Sequence, residues 1–285
     1  MIIGSYIPHF KMETFEHELL KIKKYGFDSC QLGSWDMSSW TDENAQKALE
    51  LIKKHDVTIS SFWCGWEGPR VWNFDKGYDT LGLLPKEWRE IRVKNLCDGA
   101  DFAKKLGINQ VVTHMGFIPE NPNDPELIPL CDAIRTVALH LKENGQYLLF
   151  ETGQETPLAM KRCFEIVGTD NLAVNLDTAN LILYGKANPV DALDTIGEYV
   201  RDIHAKDGCY PTTSKWLGRM TRLGEGKVDF KALFTKLKEL GYDSYVTIEC
   251  ELMNDDEENA EAKNAEILYS KKFLEDVINE VYKED

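Results

Sequence analysis

Four apolar runs in the second half of the chain each finish on a side chain able to hold a metal ion. LLFE ends on Glu151, VNLD on Asp177, RDIH on His204 and VTIE on Glu249. One acidic residue after a strand usually caps the next helix or faces water. Four such endings in succession need another explanation. If they meet, three carboxylates repel one another by roughly several kcal/mol at intermediate dielectric, and a cation relieves that cost. Three carboxylates and an imidazole form a hard, oxygen-rich set suited to Mn²⁺, Mg²⁺ or Co²⁺, with Zn²⁺ less favoured because no thiolate is offered. The sequence predicts one divalent-metal centre.

For the four ends to meet, the chain must fold so that successive strands point the same way. Short β-like runs at 2–6, 28–33, 57–63, 109–116, 147–151, 172–177, 199–207 and 244–251 are each followed by a segment of helical spacing. The predicted helices cover 13–25, 42–55, 86–106, a stretch reaching residue 144, one from Thr156–Pro157, a short one from Asn188–Pro189, 229–240 and a charged C-terminal segment. Several strands are apolar on both faces, as in a parallel sheet covered by helices. Eight βα units in 285 residues predict a single (β/α)8 TIM barrel over residues 1–285 rather than a doubly wound sheet. No Pro/Gly/Ser linker divides the chain, and neither GxGxxG nor GxxxxGK[ST] occurs.

Bulk properties narrow the partners. A net charge of −15 and a pI near 4.9 disfavour nucleic acid and anionic membranes. No run approaches the length of a membrane span, and MIIGSYIPHF has no basic leader region. Seven scattered cysteines without a CxxC pair suggest reduced thiols and a cytoplasmic protein.

FETGQET, NLAVNLDTANLILYGKANP, VRDIHAKDG, LGEGKVDF and VTIECE together resemble the xylose-isomerase-like barrel superfamily, the sugar phosphate isomerase/epimerase group. The resemblance runs from the first strand to the eighth and is strongest between residues 147 and 251. It implies a divalent metal, often Mn²⁺, on Glu151, Asp177, His204 and Glu249. It also implies that the two glutamates exchange the proton beside a substrate carbonyl. The chemistry agrees: a hydroxyketone chelates a metal, the cation stabilises the enediolate, and a carboxylate on each face moves the proton. Relatives that use the same enediolate as lyases include inosose dehydratases and C-glycoside-cleaving barrels, the latter generally with a partner subunit. A homo-oligomer or a partner subunit is therefore open here. An endonuclease IV-like reading is disfavoured by the few histidines and the acidic charge; a non-catalytic sugar-binding barrel is the bland alternative.

The chain also departs from those epimerases. Asn180 stands in DTAN where they usually carry a substrate-binding histidine, Lys206 and Asp207 stand where they tend to have an arginine, and Glu155 is no clear counterpart of their further glutamate. A small sugar or sugar derivative is the expected partner, with His114, Lys206, Asn180, Trp66 and His9 as candidate substrate contacts. Each has a plainer reading: His114 and His9 as structural imidazoles, Trp66 as loop packing, and Lys206 as the charge partner of Asp202 or Glu225. The Trp-rich loop after the third strand is the expected specificity lid. Asp207 is expected to form a loop, Asp229 to cap a helix, and the acidic run at 255–263 to be solvated.

Overall fold

The computed structural model describes residues 1–252 and 259–283. Eight parallel strands close into a barrel: β1 (Ile2–Ile7), β2 (Ser29–Ser34), β3 (Thr58–Cys64), β4 (Gln110–Thr113), β5 (Tyr147–Glu151), β6 (Leu172–Asp177), β7 (Val200–Ala205) and β8 (Tyr245–Ile248). β8 pairs with both β7 and β1, which completes the ring. Between the strands run α1 (Met12–Lys24), α2 (Asp42–His55), α3 (Arg89–Lys105), α4 (Leu127–Glu143), α5 (Pro157–Val167), α6 (Pro189–Ile196) and α7 (Phe230–Glu239), and α8 (Ala260–Tyr282) follows β8. The expected (β/α)8 barrel is what forms. Of the acidic run at 255–263, residues 255–258 lie outside the described residues.

Local chemistry explains several element starts. Thr41, Thr156, Asn188 and Asp229 each accept a hydrogen bond from a backbone N–H of the first turn of α2, α5, α6 and α7. Pro157 and Pro189 open α5 and α6, where their missing N–H costs nothing. β2, β4 and β6 are buried along their whole length, as expected of parallel strands covered by helices. β4 and β8 stop short of the sequence estimate, leaving His114 and Glu249 just beyond their last paired residues.

No helix among the described residues is long and apolar enough to cross a membrane. At the mouth, Asp207 and Gly208 pair antiparallel with Met220 and Thr221 in a short ribbon. The Asp207 carboxylate holds the following loop by accepting from four backbone amides. Oδ1 takes Gly208 at 2.7 Å and Val228 at 3.1 Å, while Oδ2 takes Gly224 at 3.0 Å and Gly226 at 2.9 Å. Only glycine fits at 226, since a Cβ there would sit 2.0 Å from Asp207 Oδ1.

Removing that acceptor strands several amides at once. Asp207→Ala is expected to cost about 2–4 kcal/mol in urea unfolding. A loss under about 0.5 kcal/mol would show that the loop does not depend on this clamp.

Candidate metal centre

Strand register assembles the centre. Asp177 pairs with His204 across β6 and β7, and His204 pairs with Thr247 across β7 and β8, two residues before Glu249. Glu151 ends β5. One ligand atom from each of Glu151, Asp177, His204 and Glu249 lies within 4.8 Å of every other. His204 Nδ1 is central: it stands 3.3 Å from Glu151 Oε1, 3.3 Å from Glu249 Oε2 and 3.9 Å from Asp177 Oδ2.

Neighbouring groups turn the right atoms inward. Asp177 Oδ1 accepts from the amides of Ala179 and Asn180 at 2.8 and 2.7 Å, which leaves Oδ2 facing the centre. Glu151 Oε2 accepts from the Trp63 indole N–H, and Oε1 accepts from Asn180 Nδ2 at 3.2 Å. His204 Nδ1 and Asp177 Oδ2 are buried with no hydrogen-bond partner. Buried polar atoms seldom go unmatched. Two such atoms converging with two glutamates, three oxygens to one nitrogen in all, fit a hard divalent cation.

Charge among these side chains is balanced internally. Burial would lower the His204 imidazole, but Glu151 and Glu249 hold it well above its ordinary range. Burial would raise Glu249, and Lys206 and His204 override it, keeping that carboxyl well below the usual value. Burial dominates at Asp177 and pushes its carboxyl up. Lys206 Nζ lies 3.1 Å from Glu249 Oε2 and 3.6 Å from Asp177 Oδ2, and it also donates to Glu251. These three, not Asp202 or Glu225, are its charge partners: Asp202 accepts from Ser61 at 2.6 Å, and Glu225 is exposed.

Above the centre opens a cavity of about 610 Å³. Its wall includes His9, His114, Asn180 and Lys206 from the expected contacts, together with Trp35, Trp63 and Trp72. Trp66 does not reach the wall. It is 2% exposed and packs behind, with Trp35, Trp63 and Trp72 rings at 5.2, 5.9 and 6.4 Å. The aromatic loop after β3 is pinned rather than free. Arg92 of α3 is fully buried and donates to the carbonyls of Glu67, Pro69, Thr80 and Gly82. The loop therefore serves as a fixed wall. His114 Nδ1 lies 3.2 Å from the Glu151 carbonyl oxygen, a contact that only an N–H satisfies, so the lone pair is on Nε2. Burial lowers this imidazole, consistent with a neutral ring.

The chain belongs to the xylose isomerase-like TIM barrel family, whose description matches residues 19–271. A xylose isomerase domain protein from Planctomyces limnophilus superposes with a TM-score of 0.86 at 27% identity, covering 93% of both chains. A D-tagatose 3-epimerase-like protein shares the fold with a TM-score of 0.71 at 20% identity over 99% of this chain and 98% of its own. The inosose dehydratase of Lacticaseibacillus casei is 24% identical over 173 residues, 55% of this chain and 56% of its own length. The chain thus spans about half of that relative.

Glu155 lies apart from this chemistry. It is 2% exposed, does not line the cavity, and burial raises its carboxyl to about 8 from 4.5. The folded state binds this proton more tightly than the unfolded chain, so its contribution to stability is greatest in acid and declines as pH rises from about 4.5 through about 8. Glu155→Gln carries no such penalty. It should match the wild type near pH 5 and exceed it by about 3–5 kcal/mol at pH 9 in denaturant titrations. An equal difference at both pH values would show that Glu155 folds ionised.

Proposed function

We propose that this protein is a divalent-metal-dependent sugar isomerase or epimerase, with Glu151 and Glu249 as the acid and base and Mn²⁺ as the native ion. The observation that carries this reading is the placement of the two glutamates. They come from the outer two of four consecutive strands, and each has a carboxylate oxygen 3.3 Å from His204 Nδ1. A hydroxyketone bound between them would meet a carboxylate on either side. A divalent cation held by the four residues would supply the electrophile that stabilises an enediolate.

The chain's own groups supply the rest. Glu249, kept ionised beside Lys206, is fit to take a proton, and Glu151 is placed to return one from the other side. His114 Nε2 offers an acceptor to a substrate hydroxyl, and Asn180 steadies Glu151 while lining the cavity. Trp35, Trp63 and Trp72 offer faces on which sugar C–H groups stack. The cavity volume falls within the range of small-molecule pockets. The seven cysteines form no disulfide, which suits a reducing cytoplasm.

A second reading, a lyase such as a dehydratase, is favoured by Lys206. Its ammonium lines the cavity 3.1 Å from Glu249 and would be a proton donor for a hydroxyl departing after proton abstraction. The similarity to inosose dehydratase supports the same reading.

Incubation of the Mn²⁺-loaded protein with a panel of ketoses and inososes in D₂O separates the two. Deuterium in an isomeric product supports isomerisation, and a dehydrated product supports the lyase. Glu249→Gln should lower turnover by about 10²–10⁴-fold while the protein stays folded by circular dichroism. Full activity in that folded variant would remove Glu249 from proton transfer.

A further inference from the structure

Behind the metal centre a line of buried polar side chains crosses the barrel interior. His204 Nε2 lies 2.7 Å from Gln31 Oε1, Gln31 Nε2 donates to Ser61 Oγ at 2.8 Å, and Ser61 Oγ donates to Asp202 Oδ2 at 2.6 Å. The line leaves β7 at His204, passes through β2 and β3, and returns to β7 at Asp202. All four residues are fully buried, so no solvent competes for these bonds. Asp202 Oδ1 is occupied by the Ile203 amide at 2.9 Å.

Each member constrains the next. The Asp202 end accepts, so the Ser61 hydroxyl points its hydrogen there and turns a lone pair to Gln31. The Gln31 carboxamide must then direct its NH₂ at Ser61 and its oxygen at His204. That oxygen accepts only from an N–H, so the His204 proton belongs on Nε2. The Nδ1 lone pair is left facing Glu151, Asp177 and Glu249. With the carboxamide reversed, its NH₂ would demand a lone pair on Nε2, and Nδ1 would aim a hydrogen at the cation position.

We infer that Gln31 is a positioning residue that selects the metal-binding tautomer of His204, with Ser61 and Asp202 setting the direction of its carboxamide. This rests on the metal-centre reading given above. Gln31 does not line the cavity and has no part in proton transfer. Its effect is on how tightly the ion is held.

Titration of purified wild-type protein and variants with Mn²⁺ alone, followed by calorimetry, tests this. Gln31→Met keeps the bulk but removes the acceptor, and its Mn²⁺ affinity should fall about 10–100-fold. Gln31→Glu keeps an acceptor opposite Nε2 and should stay within about threefold of wild type. Ser61→Ala frees the carboxamide to reverse and should fall between the two; it also serves if Gln31→Met does not fold. Wild-type affinity in folded Gln31→Met or Ser61→Ala overturns the assignment, as does an equal loss in Gln31→Met and Gln31→Glu. A wild-type protein that binds no Mn²⁺ refutes the metal centre itself, a result distinct from failure of the relay.

Discussion

The convergence of three carboxylates on one imidazole governs this molecule. At separations near 4.8 Å, each pair of like charges repels by about 3–4 kcal/mol at an effective dielectric of 20. Burial makes the arrangement costlier still. Lys206 offsets part of it, which explains why an ammonium sits among the carboxylates. A closed barrel tolerates the cost because strand pairing fixes the backbone under each ligand. The four cannot separate without breaking β5 to β8 apart.

The same constraint shapes the surroundings. Asp177 spends one oxygen on two amides, and Glu151 spends one on an indole. Each carboxylate thus keeps one oxygen for the centre. Arg92 fixes the aromatic wall from behind, with its guanidinium consumed by carbonyls of the loop. Asp207 does the same for the loop after β7, accepting where Arg92 donates. Two buried charges of opposite sign, each satisfied by backbone, keep the mouth in shape while its lining stays available.

Much of this was legible in the residues. Period and punctuation reveal the eight βα units, because caps such as Thr156–Pro157 and Asn188–Pro189 act locally. The convergence of Glu151, Asp177, His204 and Glu249 was legible because strand ends in a barrel share one face, so position along a run stands in for position in space. What escaped depends on contacts between distant strands. Gln31, Ser61 and Asp202 look like ordinary interior positions until β2, β3 and β7 are seen side by side, with Gln31 and His204 173 positions apart in the chain. The partners of Lys206 were misjudged for a related reason: Asp202 is near in sequence, yet its carboxylate turns into the barrel. Trp66 lies close in sequence to Trp63 and Trp72, but nothing in FWCGWEGPRVW distinguishes the ring that packs behind from those at the wall.

The central claim is that these four residues hold one divalent ion. A crystal of the protein soaked in Mn²⁺ and measured for anomalous scattering tests it directly. The account predicts one strong peak bounded by Glu151, Asp177 Oδ2, His204 Nδ1 and Glu249, with Lys206 moved aside or retained on Glu251. No peak there at saturating Mn²⁺, or a peak only at the exposed acidic surface, would contradict it.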